Sequence, residues 1–218
     1  MSELRTSFNQ RGQKEIVISL DTQSGLDPAW LVGFLQESVA NGKHFLPGQT
    51  IQIGWMLVLL KATESGVLEL WEPQFDSIPI KWIRGIDNTL RHLILQKSIT
   101  ELLKVDPMFP SLRDSGSASK SFLTVPSPND FRLFREPSKG NDSGWRLDAA
   151  PFKSQHTEYR SLFELSFYQM AIVPFLALPT GAVINKSGTN LVVEVAGLSL
   201  DSKQSGLLQK LANSKTLV

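Results

Sequence analysis

The stretch FRLFREPSKGNDSGWRLD, residues 131–148, decides the fold prediction. Phe131–Arg135 and residues 145–148 have the apolar and aromatic content of short strands. Between them, residues 140–144 read Gly-Asn-Asp-Ser-Gly, which is typical of a turn. Because a short turn joins them, we expect the two strands to lie antiparallel in one sheet.

Outward from this stretch, the second half of the chain predicts further strands at residues 122–125 and 191–195. It also predicts a helix at about residues 157–170, whose apolar side chains form a broad face. Proline and glycine then punctuate residues 174–181. Strands and helices do not alternate strictly, which favours an α+β fold over a doubly wound sheet.

The first half predicts elements of the same two kinds. Asp27-Pro28 is typical of a helix start and Gly42 of a helix end. Residues 50–60 are almost wholly apolar and predict one central strand buried on both faces. A turn at residues 64–66 leads to a return strand, and a long amphipathic helix begins at about residue 86. Five apolar residues are predicted to share one face of the first helix: Trp30, Leu31, Phe34, Leu35 and Val39.

A small polar segment separates the two halves. Residues 114–120 read Asp-Ser-Gly-Ser-Ala-Ser-Lys and offer little that could pack in a core, which is typical of a linker. We therefore expect two α+β domains, each a small and mostly antiparallel sheet packed with helices. Their predicted bounds are residues 1–110 and 121–218, with the linker at residues 111–120.

The composition excludes several classes of function. The 218 residues include 22 basic and 21 acidic side chains, so the basic surface of a nucleic-acid or anionic-membrane binder is missing. The absence of cysteine excludes a thiolate nucleophile and a zinc site built on sulfur. The N-terminal stretch does not resemble a signal peptide, and no apolar run is as long as a membrane span. We expect a cytoplasmic protein that binds neither nucleic acid nor membrane directly.

The residues that usually carry catalysis form no recognisable motif. His44, His92 and His156 have no second histidine or carboxylate at a metal-binding spacing. The chain also lacks a nucleophile elbow and a glycine-rich phosphate loop. We therefore predict no catalytic residue, no metal ligand and no cofactor site.

Acidic residues crowd around one predicted hairpin. Glu64, Glu69, Glu72 and Asp76 lie within 13 residues. One interpretation is a solvated strand edge whose charges prevent aggregation. The other is an acidic patch that meets a basic partner, with Trp71 as a hot-spot aromatic unless it belongs to the core. In that second interpretation, Glu69, Trp71, Glu72 and Asp76 bind the partner.

The second half also contains a distinctive pair of motifs, Arg-Glu-Pro followed by Asp-Ser-Gly-Trp-Arg. Their residue types suggest an architectural role, because Asp and Ser satisfy turn backbone, Gly permits unusual dihedrals and Trp packs in cores. The residues are Arg135, Glu136, Pro137, Asp142, Ser143, Gly144, Trp145 and Arg146.

This pattern resembles the signature of a bacterial family first described as a domain of unknown function and later assigned as immunity proteins of polymorphic toxin systems. The resemblance covers about residues 120–195, and the first half looks like the domain that precedes it in longer members. The chain departs from the family at residues 147–151, Leu-Asp-Ala-Ala-Pro, where the family has glycine and acidic residues.

The resemblance implies an immunity protein, an antitoxin that occludes the catalytic domain of a cognate toxin and is not itself an enzyme. It further implies that the toxin is a nuclease effector delivered by a type VI secretion or contact-dependent system. Two alternatives stay open. One is an adaptor or chaperone for a secreted effector, and the other is a small-molecule enzyme that uses residues 130–148 and His156. Whether the chain self-associates is also open.

Overall fold

The computed structural model of the chain describes residues 2–8, 12–125, 128–152 and 156–213. It confirms an α+β fold with two mostly antiparallel sheets. The chain divides into two compact units, residues 1–93 and 94–218. The division falls inside a helix, so the predicted linker at residues 111–120 is not where the chain divides.

The first unit consists of a six-stranded sheet with helices. Its elements are β1 (Ser2–Arg5), β2 (Ile16–Leu20), α1 (Ala29–Ala40), β3 (Thr50–Ile53), β4 (Met56–Ala62), β5 (Leu68–Gln74), β6 (Lys81–Arg84) and the start of α2 (Asp87–Leu102). The strand order is β1-β2-β5-β4-β3, and β6 also pairs with β5. Among the strands of this unit that the structure describes, only β2 and β5 pair in parallel.

The core of the first unit is one apolar cluster, to which the sheet, α1 and the start of α2 all contribute side chains. Leu31, Leu35 and Val39 of α1 are buried at successive helical turns. Leu90 of α2 joins the same cluster. This core fixes the orientation of α1 about its own axis, and thereby decides which of its side chains face solvent.

The single central strand predicted at residues 50–60 is a hairpin instead. Gly54 has a positive φ of 60° and lies between β3 and β4, which pair antiparallel from Ile53 opposite Met56. Burial explains the error, because Ile51, Ile53 and Val58 all belong to the core cluster and both strands therefore read as apolar.

The second unit is built on a seven-stranded sheet. Its strand order is β10-β7-β9-β8-β11-β12-β13, and within the described part of this unit only β7 and β9 pair in parallel. After the end of α2, its elements are β7 (Ser115–Ser119), α3 (Lys120–Thr124), β8 (Phe131–Arg135), β9 (Asp142–Ala149), β10 (Thr157–Ser161), α4 (Leu162–Tyr168), a 3₁₀ helix (Met170–Phe175), β11 (Val183–Ser187), β12 (Asn190–Val195), β13 (Leu198–Asp201) and α5 (Gly206–Asn213).

The segment predicted as a linker contains an interior strand of this sheet. β7 lies between β9 and β10, and four of its five residues are buried. A Cβ on Gly116 would lie 3.0 Å from the Trp145 carbonyl oxygen and 3.1 Å from a methyl group of Leu165. Small residues are therefore required here by close packing, although their composition is also that of a linker.

Two predicted elements change type because serine side chains start helices. Residues 122–125 were expected as a strand, but Ser119 Oγ accepts a hydrogen bond from Phe122 N and begins α3. The helix expected from residue 157 begins only after Ser161, which forms a capping box with Glu164. The four residues before that cap and Ser161 itself form β10.

Arg135 and Trp145 of the REP and DSGWR motifs lie opposite each other on β8 and β9, and both are buried. The Arg135 guanidinium donates to the carbonyl oxygens of Met108 and Ser143 at 2.7 and 3.2 Å, and Trp145 Nε1 donates to the Leu176 carbonyl at 3.1 Å. Burial lowers the pKa of Arg135 to about 10. These two side chains tie surrounding loops to the sheet.

The polar residues of the motif hold the turn between the same strands. Arg146 makes a bidentate ion pair with Asp142, at 2.9 and 2.8 Å, and contacts Glu136 at 2.9 Å. Hydrogen bonding from Arg146 lowers the pKa of Asp142. Ser143 Oγ donates to the Ser115 carbonyl at 2.7 Å. The motif residues described here thus have internal partners.

Gly144 provides a test of this packing. Its φ is 81°, and a Cβ there would lie 2.0 Å from the Glu136 carbonyl oxygen. We expect Gly144→Ala to lower the free energy of unfolding by more than about 3 kcal/mol, from backbone strain plus overlap. Gly140→Ala is the matched control, since Gly140 has φ 59° with nothing within 4 Å, and should cost about 1–2 kcal/mol. Denaturant unfolding measures both, and equal losses would contradict the close approach.

Candidate partner-binding surfaces

Glu72, predicted to bind a partner, is not on the surface. It is 2% exposed and caps the N-terminus of α2 from the neighbouring strand β5. Its carboxylate accepts hydrogen bonds from the backbone N–H of Thr89 at 2.7 Å and of Asn88 at 3.1 Å, and from both of their side chains. Strand alternation is the reason, because Glu69 and Glu72 are three positions apart and so face opposite sides of the sheet.

Glu69 and Trp71 do share the open face of β5, but their neighbours neutralise the acid. Arg84 of β6 contacts Glu69 at 2.8 Å and Glu3 of β1 at 2.7 Å. Trp71 Nε1 donates to Glu69 at 3.1 Å, and the Lys61 ammonium lies 3.7 Å from the centre of a Trp71 ring. This half-buried cluster has mixed charge, and the Glu69 carboxylate, the Trp71 indole N–H and the Trp71 ring all have partners within it.

Asp76 is exposed in the connection between β5 and β6, where its carboxylate accepts from the Gln74 amide. Together with the burial of Glu72 and the pairing of Glu69, this placement means that the predicted acidic patch does not form. The four predicted residues divide among the sheet face, the buried helix cap and a turn.

Trp30 and Phe34 form an exposed surface, although the sequence predicted that they share one helix face with Leu31, Leu35 and Val39. They are 49% and 43% exposed, one turn apart on α1, and we call them the α1 aromatic pair. The buried stripe of this helix is Leu31, Leu35 and Val39, and each aromatic precedes a stripe residue by one position, about 100° around the helix. The five apolar residues thus span a wider arc of the helix than the core contact covers. Their spacing in the sequence already shows this excess width.

A shallow cavity of about 230 Å³ in the second unit is lined in part by Asp130 and Lys186. The Lys186 ammonium donates to the carbonyls of Asn129 and Gly188 at 3.2 and 2.7 Å, and Asp130 accepts from the Gly188 N–H at 2.7 Å. Burial lowers the pKa of Lys186. Both charged groups brace the turn between β11 and β12, so this geometry does not favour the enzyme alternative.

With these surfaces placed, the chain can be compared with known proteins. No family model, curated protein or solved structure matches it. The resemblance of the REP and DSGWR motifs to immunity proteins therefore stays a prediction. Among the residues that the structure describes, no helix has the length and apolar character needed to cross a membrane. Nor does any cluster of three or more His, Asp or Glu within those ranges form a possible metal site.

The buried Glu72 predicts how stability depends on pH. Burial is the largest cause that raises its pKa from 4.5 to about 7, although the N–H and O–H donors of α2 lower it. The folded chain therefore binds this proton more tightly than the unfolded chain, so the contribution of Glu72 to stability falls as pH rises from about 4.5 to 7. Between pH 5 and 8, the free energy of unfolding of the parent should fall by roughly 2 to 3 kcal/mol more than that of Glu72→Gln.

His92 makes this comparison necessary, because its effect has the opposite sign. Burial lowers its pKa from 6.5 to about 4, so its contribution to stability is lost as pH falls through that window. Both proteins carry His92, and its contribution cancels in their difference. Denaturant unfolding can be followed by tryptophan fluorescence, since four of the five tryptophans lie in the first unit. Parallel pH profiles for the two proteins would contradict the raised pKa.

Proposed function

We propose that this chain is a cytoplasmic immunity protein, an antitoxin that binds a toxic protein made by the same cell and covers its reactive groove. The REP and DSGWR motifs support this role through their resemblance to immunity proteins. An inhibitor that acts by occlusion needs a complementary surface rather than reactive groups. The observation that carries the proposal is therefore a surface, the α1 aromatic pair.

The α1 aromatic pair has the chemistry of an interface hot spot. Trp and Phe bury large apolar areas at little cost in side-chain entropy, and Trp is among the residues that contribute most to protein–protein affinity. Gly33, which is also exposed on α1, adds no side chain beside the two rings. The partner that fits is a protein with an apolar recess that accepts both rings.

The charges of the first unit give no special support to a nuclease toxin. The resemblance implies a nuclease, and an acidic patch would have supported it by matching a positively charged cleft. Glu72 is buried, however, and Glu69 is paired with Arg84. We instead propose an interface dominated by apolar contacts, whose affinity depends only weakly on salt. The proposal therefore covers protein toxins in general, with a nuclease as one case.

Co-expression with the products of neighbouring genes tests the proposal. The chain should restore growth to cells that produce the toxin, and the two purified proteins should form a stable complex. Replacing Trp30 and Phe34 together by alanine should raise the Kd by at least about thirtyfold, the effect of one hot-spot residue. The Tm should hardly change, because both side chains are exposed. Isothermal titration calorimetry and thermal melting measure the two quantities.

Two further variants locate the interface. Leu46→Ala is the control, since Leu46 is an exposed apolar residue of the same unit outside α1 and should leave the Kd unchanged. Trp71→Ala tests the surface predicted from the sequence. A complex in which the toxin stays active would identify an adaptor or chaperone. If no neighbouring gene product is bound or neutralised, the immunity role is wrong.

A further inference from the structure

Strand β10 is an open edge of the seven-stranded sheet. It is first in the strand order, and among the described residues it pairs only with β7. Its first four residues are exposed and the fifth is half-buried. An edge of this kind presents a row of backbone donors and acceptors to another strand.

The hydrogen bonds to β7 decide which backbone groups of β10 point outward. Leu162 N donates to the Asp114 carbonyl at 2.8 Å, and Lys120 N donates to the His156 carbonyl at 3.4 Å. In an antiparallel pair, alternate residues exchange hydrogen bonds with the same neighbour. Even-numbered residues therefore face β7, and the backbone groups of Thr157 and Tyr159 face away from it.

The sequence of β10, Thr-Glu-Tyr-Arg-Ser, is complementary to itself when it is read antiparallel about its central residue. A second β10 centred on Tyr159 places Thr157 opposite Ser161. It also places Glu158 opposite Arg160 on both sides of the centre. Opposite charges at facing positions stabilise a strand pair, whereas like charges destabilise it.

We propose that β10 pairs antiparallel with β10 of a second copy of this chain, with the two-fold axis at Tyr159. The outward N–H and C=O of Tyr159 then form the reciprocal hydrogen bonds of a closely bonded pair. At each end, Thr157 N–H donates to the Ser161 carbonyl of the other copy. The Ser161 N–H already donates to Glu164 at 3.1 Å, which ends the pairing there.

The side chains around β10 are available for this contact. Tyr159 is 58% exposed, and its ring lies 5.7 Å from the Arg146 guanidinium. Glu158 and Arg160 pair with each other in the single chain, with half or nearly half of each side chain exposed, so each can turn to its counterpart across the axis.

A self-complementary edge is an unusual arrangement for a strand that stays unpaired. Natural edge strands avoid pairing with charges, prolines or bulges. β10 has neither proline nor a shift in its register with β7, and its two charges attract a second copy rather than repel it. This proposal is independent of the immunity role, because it depends only on one edge of the second unit.

Charge reversal tests the pairing directly. In sedimentation equilibrium the parent should have twice the monomer mass of 24.2 kDa. Glu158→Arg puts like charges opposite each other, as does Arg160→Glu, and either should weaken the dimer by at least about tenfold. A mixture of the two variants restores both facing pairs and should form a heterodimer of parental affinity. This rescue also excludes misfolding of either variant.

Cross-linking tests the position of the axis, because the chain has no cysteine of its own. Residues opposite each other in a closely bonded pair have Cα atoms about 5.5 Å apart, within the range of a disulfide. Tyr159→Cys should therefore form a dimeric disulfide under mild oxidation. Thr157→Cys is the matched control, since its counterparts lie more than about 13 Å apart and should stay reduced.

Three results would overturn the proposal. They are a parent that is monomeric at millimolar concentration, an absence of rescue in the mixed variants, and equal cross-linking at positions 157 and 159. A monomeric chain whose β10 variants lose affinity for the toxin would mean that the edge receives a strand of the toxin instead.

Discussion

The close approach of β8 and β9 at Gly144 is the constraint on which the second unit depends. The Glu136 carbonyl occupies the space of a Cβ at Gly144, and Glu136 N donates to the Gly144 carbonyl at 2.9 Å. This contact sets the register that places Arg135 opposite Trp145. The two side chains then donate hydrogen bonds to the backbone carbonyls of Met108 and Leu176, outside the two strands. Because glycine has no Cβ, the two strands can approach closely at Gly144. This register allows Arg135 and Trp145 to hold the neighbouring loops by hydrogen bonds.

Close packing also explains which parts of the fold the sequence could predict. Elements with local signals were predictable, including α1 with Pro28 before its first residue and the turn at residues 64–66 between β4 and β5. β7 was not predictable, because it packs closely against both a neighbouring strand and Leu165 of α4, and only small residues fit there. Serine, glycine and alanine are also the residues of linkers. Composition cannot separate the two cases when the deciding neighbours are tens of residues away.

The predicted acidic patch does not form, for one reason that lies in the local sequence and another that depends on distant residues. The separation of Glu69 from Glu72 follows from strand alternation alone and could have been predicted. The neutralisation of Glu69 could not, because Arg84 comes from another strand and is shared with Glu3 at the start of the chain. Likewise, the spacing of α1 defines a broad apolar face, but only the core contact divides it into a buried stripe and an exposed pair.

Surfaces that bind other molecules can be distinguished from the rest of the surface by exposed apolar area and by hydrogen-bonding groups that have no partner within the fold. Trp71 and the acidic residues near it stand out in the sequence. Yet the indole N–H and ring face of Trp71 and the carboxylate of Glu69 already have partners within the first unit. The α1 aromatic pair and the outward backbone of β10 differ, because apolar area and hydrogen-bonding capacity remain exposed there. Association gains most free energy where such groups are not yet used. An unsatisfied helix face suits a partner of different shape, whereas a strand edge with symmetric charges suits a copy of itself.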